Sequence, residues 1–249
     1  MRTSLWLRPR WVVGHVIAVV LVVLFVNLGF WQLRRLDERQ AQNATIESRS
    51  QAPVQEIAEV VDAGAAFDEV DDLVYRRATA TGTYDTGAEV LVRSRSLNGQ
   101  PGMHVLTPLV TSTGPALVVN RGFVPLQGSA EAPPGGEVEV AGILFATQER
   151  GSIGPRDPAE GTLRELARAD LARLQQQYAG DLYPVYLQLE EQAPPAGELP
   201  VPLPEPEQSE GSHLSYAVQW FLFATIGAVG WPLLVVRTAR QPAPLDEPA

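Results

Sequence analysis

The sequence contains no cysteine and no lysine, and histidine occurs only three times in 249 residues. Without cysteine there can be no disulfide, no thiolate metal site and no C-x-x-C-H attachment site. Met103 is the only methionine beyond the initiator, so a copper carrier's Cys and Met ligands are missing. The histidines are scattered, at His15, His104 and His213, and no G-x-S-x-G, P-loop or H-E-x-x-H pattern is present. We therefore do not expect an enzyme.

Two long apolar runs, Trp11–Trp31 and Tyr216–Val236, contain no Asp, Glu or Arg. A helix of either length covers the hydrocarbon core of a bilayer, which is about 30 Å thick. The first run exceeds the roughly 7–15 apolar residues of a signal peptide, and no small-x-small cleavage site follows it. It is therefore predicted to be an uncleaved anchor, and the two runs predict transmembrane helices over 11–33 and 213–236.

Arginines beside the two runs predict the orientation in the membrane. The first run has three arginines near each end, which gives no preference. The second is followed by Arg237 and Arg240, whereas no arginine lies between Gln188 and Trp220. We expect both termini, as tails 1–10 and 237–249, to be cytoplasmic.

The segment between the two runs is acidic. Residues 34–215 hold 14 Arg against 27 Asp and Glu, which argues against nucleic acid or anionic lipid head groups as partners. No Arg- and Ser-rich transit segment precedes the first run. The expected location is a bacterial plasma membrane, with a multi-pass topology and the main domain outside the cytoplasm.

This middle segment is predicted to be a β-rich α+β domain over residues 34–192. Its strand patterns alternate between apolar and polar residues, with Gly82 as an expected bulge. One helix is expected near 162–178, capped by Thr162 with Glu165 three residues later. A Pro-rich acidic linker, 193–212, leads to the second apolar run. The predicted strands are 75–84, 89–96, 103–111, 115–125, 136–145 and 183–190. The fold class is thus a membrane protein with two transmembrane helices flanking a small β-rich α+β extracytoplasmic domain.

The start of the second run carries a stripe of polar, aromatic and small residues. With 100° per residue, Tyr216, Trp220, Phe223 and Gly227 lie within about 80° of His213 on a helical wheel, and Gln219 lies at the edge. Interfacial Trp and Tyr belts and small-residue helix packing would explain much of this stripe. They explain less well why His, Gln and Arg cluster where the two helices meet the outer surface.

Two other polar features have structural explanations as alternatives. His15, inside the first run, is either a helix–helix hydrogen-bond partner or a tolerated interfacial residue, and His104 is interpreted as structural. In "VVNRGFVP", Gly122 is predicted to have a positive φ. Asn120 and Arg121 either satisfy backbone groups within the domain or form a docking surface.

Three motifs together resemble the surfeit locus protein 1 family. They are G-x-W-Q-L-x-R in "LGFWQLRRL" (28–36), V-N-R-G-[FW]-V-P in "LVVNRGFVP" and H-x-x-Y-x-x-Q-W in "HLSYAVQWFLFA". The resemblance covers residues 28–237. The chain departs from the family where members often carry an aromatic–basic pair after the first motif, since it has "LDERQ" there.

The resemblance implies an assembly factor for haem-copper cytochrome c oxidase that binds haem A or hands it over to the large oxidase subunit. Haem A synthase is a further partner to consider, besides the lipid bilayer. The alternatives are a structural chaperone of an oxidase intermediate that binds no haem, and an anchored extracytoplasmic ligand-binding module.

Haem has an apolar macrocycle, two propionates and an iron that accepts imidazole. We therefore expect a haem A site in a slot between the helices, with His213 as the iron ligand. The other expected cofactor-binding residues are Tyr216, Gln219, Trp220, Trp31, Gln32, Arg34 and Arg35. The expected structural or partner-docking residues are Gly29, Asn120, Arg121 and Gly122.

Overall fold

The computed structural model describes residues 8–112 and 114–240, and the chain divides into two compact units. One unit joins the first 44 residues to those from Gln208 onward, and the other is Thr45–Glu207. Of the predicted tails, 1–7 and 241–249 lie outside the described residues. In chain order the elements are α1 (Pro9–Ser50), β1 (Gln55–Glu56), α2 (Ile57–Val60), β2 (Arg77–Tyr84), β3 (Val90–Leu97), β4 (Gln100–Thr111), β5 (Ala116–Pro125), β6 (Val138–Ala146), β7 (Glu165–Leu166), α3 (Leu171–Gln175), β8 (Leu182–Ala193) and α4 (His213–Arg240).

Both predicted apolar spans are helical. Helix α1 has 42 residues and α4 has 28, and each contains an 18-residue window apolar enough to cross a membrane, with mean hydropathy 2.6 and 1.6. Helix α1 continues past its apolar run into the segment predicted as part of the β-rich domain, and it ends at Ser50, shortly before Pro53. In α4, Pro232 is accommodated within the helix.

The second unit is built on one mixed sheet whose strand order is β1-β2-β6-β8-β5-β4-β3-β7, with a further pairing between β2 and β4. That last pairing closes β2, β6, β8, β5 and β4 into a ring. Within the ring β5 and β8 are parallel, and the other neighbours are antiparallel. This connectivity is that of a five-stranded Greek-key barrel of the OB type. The predicted β-rich domain is confirmed at this level.

Strand β5 shows why the sheet has two cores. Its residues alternate between the two faces, as period-two geometry requires. Leu117 and Val119 belong to one cluster, with side chains of β2, β6 and β8. Ala116 and Val118 belong to a second cluster, with side chains of β3, β7 and α3. Because β5 is covered on both faces, its sequence is an almost continuous apolar run.

Gly82 is not at a bulge, contrary to the expectation. It pairs with Val138 of β6 and also with Thr111 of β4. A Cβ on Gly82 would lie 2.3 Å from the carbonyl oxygen of Val110. The glycine is therefore needed for the close backbone approach that closes the ring.

The helix predicted near 162–178 is wrong in extent, since only Leu171–Gln175 is helical. Glu165 and Leu166 instead pair with β3, and Leu166 is fully buried. The helix is capped by Asp170, whose carboxylate accepts a hydrogen bond from the Arg173 backbone amide at 2.9 Å, and Thr162 has no such role. Strand pairing and burial have overridden a helical spacing of leucines.

Much of the predicted linker is attached to the sheet unit. Phe123 and Val201 exchange two backbone hydrogen bonds, each of 2.8 Å. Gln188 donates its side-chain amide to the carbonyl oxygen of Pro204 at 3.0 Å. The linker is therefore held against the strands at Val201 and Pro204.

Candidate functional site

The two long helices contact each other through a repeating seam. The less exposed positions in both helices recur at spacings of three and four residues, which alternate as in the heptad pattern of coiled coils except at the last step of α4. On α1 these positions are Trp11, His15, Ala18, Val22, Phe25, Gly29 and Gln32, and on α4 they are His213, Ala217, Trp220, Ala224, Gly227, Trp231 and Val235. Contacts between Gln32 and His213 at one end, and between His15 and Trp231 at the other, show that the helices are antiparallel.

His213 lies at the first turn of α4 and contacts α1 directly. Its Nδ1 is 2.8 Å from Oε1 of Gln32, whose side chain is only 9% exposed. Because an amide oxygen can only accept, this contact places the imidazole hydrogen on Nδ1. The other nitrogen, Nε2, then carries the lone pair and makes no hydrogen bond to any described residue. The pair has the form of a metal-ligating histidine oriented by a neighbouring acceptor.

An aromatic layer lies along the same seam, about two helical turns from the His213–Gln32 contact. The rings of Phe25 and Trp220 are stacked, with centroids 5.6 Å apart and an interplanar angle of 23°. Gly29 lies so close to Phe221 that an added Cβ would be 2.6 Å from the ring. The slot predicted between the helices is therefore filled by side chains of the pair itself.

The remaining predicted cofactor residues are on the outside of the helix pair. Trp31 and Tyr216 are 47% and 48% exposed. Gln219 is exposed, and so is Arg34. Arg35 is paired with Glu38 at 2.6 Å on the surface. The structure thus joins His213 to Gln32 and Trp220 to Phe25, but it does not gather the whole predicted set.

These residues fit a haem in their donor set but not in the predicted position. An imidazole nitrogen is available for iron, exposed aromatic rings lie nearby on the same helices, and Arg34 could pair with a propionate. The space between the helices beside His213 is filled by side chains such as Trp220 and Phe221, so a macrocycle bound to His213 would have to lie against the outer face of the pair. Among the described residues, no group of three or more His, Cys, Asp or Glu side chains is arranged so that it could hold a metal ion. A haem, which needs only one or two protein ligands, is compatible with that scarcity.

The other end of the seam contains His15. The indole Nε1 of Trp231 donates a hydrogen bond to Nδ1 of His15 at 2.8 Å, and Trp11 packs beside both rings. The helix–helix alternative for His15 is confirmed.

In the sheet unit the "VVNRGFVP" segment forms a bulge around Arg121. Val105 pairs with Gly122 and Leu106 pairs with Asn120, so Arg121 has no partner residue opposite it. Gly122 has a φ of +128°, and an added Cβ would lie 2.2 Å from the carbonyl oxygen of Val201. The predicted positive φ is confirmed. The side-chain oxygen of Asn120 accepts a hydrogen bond from the Gly122 amide at 3.3 Å.

Arg121 itself is buried, with 2% of its surface exposed. It donates to Glu89 at 3.0 Å and to the Glu131 carbonyl oxygen at 2.8 Å, and its guanidinium lies over the Tyr84 ring. Burial raises the pKa of Tyr84, and the charge of Arg121 partly offsets this. Thr107 donates to the same Glu89 oxygen at 2.8 Å. This position favours the structural alternative for Arg121.

Sequence reasoning missed the partners of Arg121. Glu89 lies 32 positions earlier, directly before β3, and nothing in the local sequence pattern indicates that its carboxylate pairs with a buried cation. His104, on β4, has a pKa lowered to about 4 by burial and by the charge of Arg95. It is therefore neutral near pH 7, and its structural role stays a prediction.

Comparison with known proteins places these features in a family. The model of the SURF1 family matches residues 19–225, which include the Gln32–His213 end of the helix pair and the whole sheet unit. An uncharacterised SURF1-like protein of Mycobacterium tuberculosis is 29% identical over 238 residues, covering 92% of this chain and 84% of that protein. The surfeit locus protein 1 of Takifugu rubripes is 29% identical over 54% of this chain and 62% of its own length. The human surfeit locus protein 1 is 27% identical over 58% of this chain and 53% of its own.

Proposed function

Since this chain belongs to the SURF1 family, known generally for cytochrome oxidase assembly, we propose that it assembles haem-copper cytochrome c oxidase by binding haem A and handing it to the large subunit. The observation that supports haem binding is the contact between His213 and Gln32. It leaves one imidazole nitrogen available at the end of an apolar helix pair, and iron is the natural acceptor for such a nitrogen.

Gln32 acts in this proposal as a positioning residue. By accepting the Nδ1 hydrogen it fixes the tautomer whose Nε2 can bind metal, and its burial keeps the ring in one orientation. The exposed rings of Trp31 and Tyr216 would cover the macrocycle. When bound, the haem supplies the iron and the macrocycle. The chain supplies the ligand nitrogen, the apolar cover and the cation of Arg34.

We also propose that both helices span the bacterial plasma membrane, with both termini in the cytoplasm and the sheet unit outside. Large apolar side chains on the outer faces of the helices support insertion. Val19 is 63% exposed and Val218 is 61% exposed, which is costly in water and favourable in lipid. The arginines that follow α4 support the orientation. Alkaline phosphatase fused after Ala196 should be active. An inactive fusion there, together with an active fusion after Ala249, would reverse the topology.

One observation favours a second candidate function, that of a structural chaperone for an oxidase intermediate without haem. Phe25, Trp220, Gly29 and Phe221 fill the seam beside His213. A pair that is already packed in this way could hold a partner helix on its exposed faces without any cofactor.

The full chain, expressed in cells that make haem A and purified in mild detergent, separates the two candidates through its absorption spectrum. We expect a haem A spectrum from the unmodified chain. His213→Ala should shift or abolish it, and Gln32→Leu should weaken it without removing the ligand. His104→Ala is the matched control, because it removes a histidine from the sheet unit and should leave the spectrum unchanged. An unaltered spectrum in His213→Ala, at equal protein level, would remove the ligand role. If the purified chain never retains haem, the result would favour the chaperone function over haem binding.

A further inference from the structure

A polar cavity lies at the end of the helix pair opposite to His213. It has a volume of about 330 Å³ and is lined by Arg8, Arg10, Trp11 and Trp231. Neither arginine forms an ion pair within the described chain. Two unpaired guanidinium groups beside indole rings are suited to an anionic group with several oxygen atoms.

The charge around this cavity is of one sign. No Asp or Glu occurs between residues 8 and 36, or between 211 and 240. Arg237 and Arg240, in the last turn of α4, add two more cations near this end of the pair. An anion bound here would meet no acidic side chain on this part of the helix pair, whereas the segment 34–215 is acidic.

An apolar groove adjoins the cavity, since Trp231 lines both. The groove has a volume of about 500 Å³, and small residues create it, among them Gly14, Ala18, Gly227 and Gly230. An added Cβ on Gly230 would meet no atom within 4 Å, so the groove is open at that point. The polar cavity and the apolar groove together are complementary to an amphiphile that has an anionic end and a long hydrocarbon end.

The length of the groove matches one lipid chain. It extends along α1 from Gly14 to Phe25, a rise of about 17 Å at 1.5 Å per residue. One leaflet of a bilayer has a hydrocarbon thickness of about 15 Å. The cavity at the end of the groove would then lie at the level of the lipid phosphates.

We propose that this end of the helix pair is a specific site for one anionic phospholipid. Its phosphate lies between Arg8 and Arg10, and one acyl chain lies in the groove beside Gly230. The indole Nε1 of Trp231 already donates to His15, so Trp231 offers the lipid its ring surface rather than a hydrogen bond. The inference rests on the membrane insertion proposed above and is independent of haem binding.

Native mass spectrometry of the full chain, purified without haem A or oxidase and relipidated, tests this site. The probes are phosphatidylglycerol and phosphatidylcholine with identical acyl chains, competing in one sample. We expect one retained phosphatidylglycerol, preferred over phosphatidylcholine by roughly thirtyfold for two arginines at the phosphate. Arg8→Gln with Arg10→Gln should abolish the preference. The double variant Arg237→Gln with Arg240→Gln removes the same charge from the same end of the pair without changing the lining of the cavity. It should retain most of the preference for phosphatidylglycerol.

Gly230→Leu tests the groove, because the added side chain enters open space and should displace the acyl chain, lowering the retention of both lipids. Val229→Leu is its control, since Val229 is 54% exposed and does not line the groove. Equal retention of the two lipids by the unmodified chain would overturn the proposal, as would equal loss of preference in the two arginine variants. Undiminished retention in Gly230→Leu would overturn the place assigned to the acyl chain. None of these readouts depends on haem, so a failure here is distinct from a failure of the assembly function.

Discussion

The two units differ in how far they bury the same type of side chain, as Val19 and Val119 show. Val19, on α1, is 63% exposed, whereas Val119, on β5, is fully buried. The sheet unit closes a ring of strands and covers both faces of β5 with its own residues. The helix pair buries a narrow seam and leaves its remaining apolar surface uncovered. The sheet unit therefore covers its own apolar core, whereas the helix pair leaves apolar surface that the proposed insertion into lipid would cover.

The largest effect is expected from breaking the sheet unit at Gly122. Gly122→Val should lower the free energy of unfolding by about 4 kcal/mol, because a β-branched residue is strained at positive φ and its side chain would collide with Val201. Chemical denaturation of the full chain in detergent, with protein abundance in cells, measures this. Gly136→Ala is the control: Gly136 has a φ of +81° and open space around it, so only about 1 kcal/mol of strain is expected. Equal losses in the two variants would contradict the role of the close backbone contact.

A somewhat smaller loss is expected from removing the buried cation of the same unit. Arg121→Met should cost about 3 kcal/mol, since Glu89 would lose its paired cation and the Glu131 carbonyl oxygen would lose its donor. The matched variant Arg150→Met removes an exposed arginine that donates only to the Gly154 carbonyl oxygen, and it should cost less than about 0.5 kcal/mol. Wild-type stability of Arg121→Met would reopen the alternative of a docking role.

The features that the sequence predicted are those that depend on neighbouring residues in the chain, and the features that it missed depend on contacts between distant segments. Gly122 was identified because positive φ is a property of one residue in one turn. The meeting of Gln32 and His213 followed from two apolar runs of equal length, Trp11–Trp31 and Tyr216–Val236, that pack antiparallel. Glu89 could not be identified as the partner of Arg121, because that contact depends on ring closure between strands distant in sequence.

The helix expected over 162–178 failed for a related reason. Its leucines have helical spacing, but Leu166 is held by β3 and only Leu171 and Leu174 lie on a helical turn. The predicted slot beside His213 failed because a helical wheel shows which residues share a face but not how completely the facing rings fill the space.

A change at the seam should affect the helix pair alone. Gly29→Leu places a side chain where a Cβ is already 2.6 Å from Phe221, and it should weaken helix association by about 1–2 kcal/mol. Because the chain has no cysteine, Val22→Cys with Gly227→Cys gives a clean cross-linking measurement in membranes. The cross-linking yield should fall in Gly29→Leu and not in Gly230→Ala, while the unfolding of the sheet unit stays the same. A loss of sheet stability would contradict the independence of the two units.

The smallest effect concerns pH. His104 has a pKa of about 4 in the folded unit, below its usual value of about 6.5, so the unfolded chain takes up the proton first. The contribution of neutral His104 to the free energy of unfolding is fully present above pH 6.5 and is lost as the pH falls towards 4. Partial exposure limits the loss to about 1 kcal/mol. His104→Gln should flatten the pH dependence of unfolding between pH 6.5 and 4, whereas His213→Gln should leave it in place. If the free energy of unfolding of His104→Gln depends on pH as strongly as that of the unmodified chain, the dependence arises from other groups.

The central claim, that this chain acts in oxidase assembly through its helix pair, is tested most directly by haem A occupancy of the large oxidase subunit. The subunit would be purified from a deletion strain complemented with the unmodified chain, with His213→Ala or with an empty vector. We expect lower occupancy with the empty vector and with His213→Ala, and normal turnover in those oxidase molecules that carry their full haem. Full occupancy with the empty vector would contradict the assembly function, and full occupancy with His213→Ala would contradict the role of the helix pair in it.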